Sequence, residues 1–193
     1  MMGREARATL IRLWARQILE TITLVLLMLL IIRITLQNFH IDGHSMEPTL
    51  HDQEYILVNK AAYLLQEPAR GDIIVFQYPR NPQENYIKRI IATPGDRISI
   101  QKNTVIVDGT TLHERYVNKD DPYNPYPTIN QRVVGANQYF VMGDNRGNSS
   151  DSRAWGMVPR QNIIGKAVVV YWPFDVDNFG LLPNMSDVFA HVR

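Results

Sequence analysis

Apolar residues dominate one stretch of the chain and afterwards come only in short, interrupted runs. From Ile18 to Phe39 the sequence reads ILETITLVLLMLLIIRITLQNF, and between Ile22 and Ile32 only Thr23 is not apolar. A helix rises 1.5 Å per residue, so about 20 residues cross a hydrocarbon core of roughly 30 Å. The stretch predicts a transmembrane helix over residues 18–38, with Glu20 and Arg33 toward its ends, where a long arginine side chain reaches the interface. A cleaved secretory signal shares the basic start and apolar centre, but Thr35 to Phe39 hold no small-residue cleavage site, which favours a retained anchor.

Beyond the anchor the apolar runs are short: Tyr55 to Val58, Asp72 to Tyr78, Tyr86 to Ala92, Arg97 to Ile100, Val105 to Val107, Gln138 to Met142 and Ile163 to Trp172. They are rich in β-branched and aromatic residues and are bounded by turn formers, as strands are. Asp108-Gly109 predicts a two-residue hairpin turn, and Pro94-Gly95-Asp96 a second turn. A short helix is expected over Asn59 to Gln66, capped by Asn59 and closed by Pro68. Asn118 to Gln131, with three prolines and little periodicity, reads as a surface loop. The expected fold is therefore mainly β: a basic N-terminus (1–17), the transmembrane helix (18–38), and a domain of antiparallel β-sheets (39–193).

Composition changes this picture little, and charge orients it. The 193 residues suit one sizeable core with an appendage, and a formal net charge of +1 offers no basic field for nucleic acid. Cysteine is absent, which excludes disulfides, thiolate metal sites and a cysteine nucleophile. Arg4, Arg7, Arg12 and Arg16 face only Glu5 before residue 18, a local charge of +3. By the positive-inside rule that end is cytoplasmic and the β domain extracytoplasmic.

Candidate chemistry lies in three places. The first is Ser45 in DGHSMEPTL, which needs a base to become a nucleophile. Its neighbour His44 points to the opposite face of an extended segment, and His191 stands near the end of the chain. His40, His44 and His51 with Asp42 and Asp52 raise the thought of a metal, but Gly43 and Pro48 make this a loop rather than the helix that catalytic zinc motifs use, so no metal or cofactor is expected. The second place is Lys88 in YIKRIIATPGD. Each face of that strand carries one cation among apolar residues, Lys88 on one and Arg89 on the other. Desolvation lowers a lysine pKa and makes it a base, whereas a guanidinium stays charged; the pattern also fits an edge strand protected by charges. The third is MGDNRGNSSDSRAWG, a dense polar turn that does not match the ligand spacing of a calcium loop. It reads either as a solvated loop or as a support that pairs carboxylates with arginines.

In this order, the basic start, the anchor, GHSMEPTL, YIKRIIATPGD and MGDNRGNSSDSRAWG resemble the type I signal peptidase family in its single-anchor form, over about residues 18–173. The resemblance implies a membrane-bound endopeptidase that removes signal peptides from exported preproteins through a serine/lysine dyad. Ser45 would be the nucleophile and Lys88 the general base. Ser149 matches the serine that orients the lysine, Asp151 and Arg153 the pair that holds the site together, and Asp144, Asn145 and Arg146 a structural turn. It assigns no substrate-binding residue, cofactor or metal. Many members carry a serine where this chain has Gly43, which leaves the Ser45 N–H as oxyanion donor with the second donor unidentified. Preproteins and the lipid bilayer are the expected partners, nucleic acid is not, and Trp172, Pro173, Phe174, Phe179, Leu181 and Leu182 form either an interfacial rim or ordinary core. Two other readings stay open: a catalytically inactive, membrane-anchored peptide-binding β module, and a serine/lysine self-cleaving regulator, although no DNA-binding helical region is visible.

Overall fold

The structure, a computed structural model, describes residues 3–117 and 126–192, with the side chains of 4–11 left out. It divides into two units, residues 1–36 and 37–193. The first is a single helix, α1 (Arg4–Thr35). Its segment Arg12–Thr35, 24 residues, is long and apolar enough to cross a membrane, a rise of about 36 Å. Its polar residues are handled locally. The hydroxyls of Thr21, Thr23 and Thr35 donate to the carbonyls of Gln17, Leu19 and Ile31 one turn back, and Glu20 takes the Nε–H of Arg16 at 2.7 Å. A hydroxyl bonded within its own helix can lie in lipid without an unsatisfied donor.

Among the described residues twelve strands follow the helix and build the second unit: β1 (Leu36–His40), β2 (Tyr55–Asn59), β3 (Ile73–Tyr78), β4 (Asn81–Ala92), β5 (Arg97–Gln101), β6 (Thr104–Val107), β7 (Thr110–Thr111), β8 (Ile129–Val133), β9 (Gln138–Met142), β10 (Val158–Pro159), β11 (Ile163–Trp172) and β12 (Gly180–Leu181). The larger sheet runs β1-β2-β11-β3-β4-β9-β10, with β12 alongside β11, and the smaller runs β7-β6-β5-β8. Neighbouring strands pair antiparallel, as between β3 and β4, between β4 and β9 and between β5 and β6. Four of the six residues of β3 are buried, because the large sheet is covered on both faces. Ile73 and Val75 pack with Met46, Leu50 and Ile56, while Ile74 and Phe76 pack with Ile90, Tyr139 and Trp155. Ile98, Ile100, Val105 and Val107 of the smaller sheet join Ile91, Phe140 and Met142 in a third cluster.

The mainly β, antiparallel reading holds, and so does the hairpin turn, where Asp108 and Gly109 have φ of +47° and +78°. A second turn of the same hand, Lys102-Asn103 at +45° and +63°, joins β5 to β6 without any glycine; Asn tolerates this region better than most residues. Three expectations need correction. The helix over Asn59–Gln66 is only a 3-10 turn, Lys60–Tyr63, although Asn59 caps it as expected by accepting from the Ala61 N–H. β4 begins at Asn81 rather than Tyr86, because Asn85 and Asn81 pair with Gln77 and Tyr78 across a tight hairpin despite their polarity. Residues 118–125 of the expected loop lie outside the described residues, and its end, Ile129–Val133, is a strand whose Ile129 faces Ile100.

Candidate active site

Ser45 sits in the turn that follows β1. Met46 and Leu50, both buried, anchor this turn in the core, and the Leu50 N–H closes it on the Met46 carbonyl at 3.0 Å. Gly43 has φ of +108°, and its N–H donates to Asp52 Oδ1 at 2.7 Å. That bond holds the Asp52 carboxyl below its ordinary pKa. Gly43 is thus not a serine trimmed of its hydroxyl: its backbone occupies a region that L side chains rarely adopt.

Lys88 approaches from β4. Its Nζ donates to Ser45 Oγ at 2.6 Å and to the Ile87 carbonyl at 2.8 Å. The residue is buried, 4% exposed. Burial lowers its pKa to about 8, with the nearby Asp151 and Asp144 carboxylates opposing the shift. The loss of hydration outweighs the attraction because neither carboxylate is hydrogen-bonded to the amine. The protective edge reading of this strand is overturned: Arg89 is buried as well, 0% exposed. The Arg89 guanidinium forms a two-point pair with Asp144 at 2.9 and 2.6 Å, donates to the Gly71 carbonyl and lies over the Tyr116 ring.

The third motif packs against the same turn. Thr49 donates to Asp144 Oδ2 at 2.6 Å, so the Arg89–Asp144 pair also grips the turn that carries Ser45. A Cβ at Gly143 would come within 2.3 Å of both the Ser45 carbonyl and Ser149 Oγ, a contact only glycine allows. Buried Asp151 caps the short helix α2 (Ser152–Trp155) and accepts from the Gly143 N–H, from Ser149 Oγ at 2.8 Å and from Arg153 Nε and Nη2 at 2.8 and 2.7 Å. Ser149 therefore donates to Asp151, and among the described residues the bonds of Lys88 Nζ go to Ser45 and Ile87, not to Ser149. A buried pair of Arg146 with Glu114 ties the motif to the loop that follows β7, and Tyr116 donates to Glu114 at 2.8 Å.

The histidines go elsewhere. His44 Nδ1 bonds Glu47 Oε1 at 2.8 Å, which raises its pKa; His40 packs its ring against Tyr55 at a tilt of 49°, and His51 lies 3.6 Å from Asp177. Among the described residues no group of three or more metal-ligating side chains comes together. A cleft of about 460 Å³ runs past the serine and lysine, walled by Ile41, Ile56, Val75 and Ile87. Sequence reasoning missed Asn145, Thr49 and Arg89 as supports of this site. Their partners lie 18 to 101 residues away, and no local periodicity records such pairs.

A mainly β hydrolase, in which a serine hydroxyl meets a buried lysine amine in place of a histidine and an apolar helix provides a membrane anchor, is the class these features define. Residues 14–172 match the family described as Signal peptidase, peptidase S26. The chain is 39% identical over 153 residues to a probable signal peptidase I-2 of Synechocystis sp., covering 77% of this chain and 67% of that protein. It is 34% identical over 235 residues to the signal peptidase I of Aquifex aeolicus, covering 92% and 91%. To the signal peptidase I of Leptolyngbya laminosa it is 42% identical over 141 residues, covering 69% and 68%. The chain belongs to the signal peptidase family, peptidase S26, whose work is the removal of signal peptides, and it is a membrane-anchored serine endopeptidase of that family.

Proposed function

We propose that Ser45 and Lys88 are the catalytic dyad of a signal peptidase acting on exported preproteins. The observation that carries this reading is the 2.6 Å bond from a buried, desolvated lysine to the serine hydroxyl. A neutral amine accepts the Ser45 proton as Oγ attacks the scissile carbonyl, forming the C–O bond. It returns the proton to the leaving amine as the C–N bond breaks, and then draws a proton from the water that hydrolyses the ester. The Ser45 N–H receives the developing oxyanion. Ser149, Asp151 and Arg153 act as supports: Asp151 gathers the serine, the arginine and the Gly143 N–H at one carboxylate, beside the turn that presents Ser45.

The substrate docks as an extended strand. Among the described residues β4 is paired on its β9 side only over Arg89–Ala92, so along Asn81–Lys88 no described strand covers that edge of the sheet. Both this edge and the end of β1 contribute to the cleft, and an extended peptide adding to such an edge gains main-chain hydrogen bonds. The apolar walls suit small side chains before the cut. Trp172 and Phe174, 48% and 67% exposed, cluster with Phe179, 48% exposed. They are not core, and their exposure supports an interfacial rim at the lipid headgroups. The basic N-terminus is assigned to the cytoplasm and the β unit to the outer side of the cell membrane. The test is preprotein cleavage by the full chain in detergent. Ser45→Ala and Lys88→Ala should each lose it, and turnover by either variant would contradict the dyad.

A further inference from the structure

The peptide group between His44 and Ser45 is held at its carbonyl by two donors, the longer being the Glu47 N–H at 3.3 Å and the shorter the side chain of Asn145. Asn145 Nδ2 donates to the His44 carbonyl at 3.0 Å, and the Asn145 backbone N–H donates to the next carbonyl, that of Ser45, at 3.1 Å. The Asn145 side chain is itself fixed, since its Oδ1 accepts the Asn148 N–H at 3.3 Å. Gly143, two residues before, permits this approach because any Cβ there would strike the Ser45 carbonyl.

A trans peptide is planar, so its C=O and N–H point in opposite directions. Fixing the His44 carbonyl on Asn145 therefore fixes the Ser45 N–H on the other side, and among the described residues nothing accepts that N–H. Donation to a carbonyl also polarises the whole amide and strengthens its N–H as a donor. Gly43, with no side chain, offers no hydroxyl to share the load, so the quality of the Ser45 amide matters more in this chain. We propose that Asn145 is a positioning residue for the reaction: its side-chain amide orients and polarises the Ser45 N–H that receives the oxyanion. This rests on the dyad reading above.

The test compares wild type, Asn145→Ala, Asn145→Asp and Ser45→Ala, each as the full chain in detergent. Three readouts are used: preprotein cleavage, inhibition by a substrate-like peptide aldehyde, and binding of the matching peptide alcohol. The aldehyde adds the Ser45 oxygen to its carbonyl carbon, leaving an oxyanion and the serine proton on Lys88, whereas the alcohol forms no bond. Asn145→Ala should lower kcat about 10-fold with KM unchanged, short of the roughly 10²-fold loss on deleting an oxyanion donor outright. Aldehyde affinity should fall by the same factor and alcohol affinity should hold. Asn145→Asp keeps the acceptor for Asn148 and replaces only the donor by a carboxylate, so it should fall further, and it carries the test should the alanine variant not fold. Unchanged kcat in these variants, or aldehyde and alcohol affinities falling together, would overturn the inference alone, provided Ser45→Ala is inactive. Cleavage by Ser45→Ala would overturn the dyad and this inference with it.

Discussion

Lys88 and Lys166 stand in one cross-strand row of the larger sheet, each opposite Ile74, on the two strands that flank β3. Lys166 is paired with the Asp72 carboxylate, which also accepts the Tyr63 hydroxyl at 2.9 Å. Lys88 meets a hydroxyl and a carbonyl, and its pKa falls to about 8 as burial strips its hydration. A third cation, Arg89, follows Lys88 directly and is buried with a two-point carboxylate partner. Sequence neighbours and register neighbours thus carry the same charge into different chemistry, and the difference lies in the partner supplied. An amine with a bonded carboxylate holds the fold. One left without it can lose its proton near neutral pH.

Replacing the two lysines by methionine breaks the comparison most sharply. Lys88→Met should reduce cleavage by about 10⁴-fold, whereas Lys166→Met should leave turnover near wild type, measured on one preprotein under identical conditions. Next in size is Asp144→Ala, which strands the buried Arg89 charge and frees Thr49; a loss of about 3–5 kcal/mol in denaturant unfolding is expected.

Stability should then separate the lysines in opposite directions. Lys88 has a lower pKa in the folded chain than the ordinary lysine value of about 10.5, so the unfolded chain binds more protons between about pH 8 and 10.5, and stability rises with pH across that window. Below pH 8 the burial penalty is fully present. Lys88→Met should therefore be more stable than wild type at pH 7 by on the order of 3 kcal/mol, seen as a higher unfolding temperature, and lose that advantage toward pH 10. Lys166→Met should be less stable, because it leaves the largely buried Asp72 without its cation. Smallest is Gly43→Ala. Space is open there, so only the backbone at φ +108° resists, at about 1–3 kcal/mol, visible as a lower melting temperature.

Much of this was legible in the chain itself. The apolar run from Ile22 to Ile32 announced the anchor, short β-branched and aromatic runs bounded by turn formers announced the strands, and Ser45 and Lys88 stood out by context. What escaped was set by long-range partners. Leu36–Asn38 reads as the tail of the anchor yet opens an edge strand that runs on to His40. Asn81–Asn85 is too polar to be read as part of the strand that starts at Tyr86, but pairing with β3 overrides that polarity. Arg89 looks like an exposed charge until Asp144, 55 residues on, closes over it. Asn145 reads as part of a polar turn, and its grip on the Ser45 turn becomes visible only when residues 101 apart meet.

The central claim is that Lys88, neutral, is the base that serves Ser45. The most direct measurement is the pH dependence of kcat/KM for preprotein cleavage by wild type and by His44→Ala and His51→Ala. Activity should rise with pH along an acid limb centred near 8, and the limb should survive both histidine replacements unchanged. A limb near the ordinary histidine value of about 6.5 that disappears in either variant would contradict it.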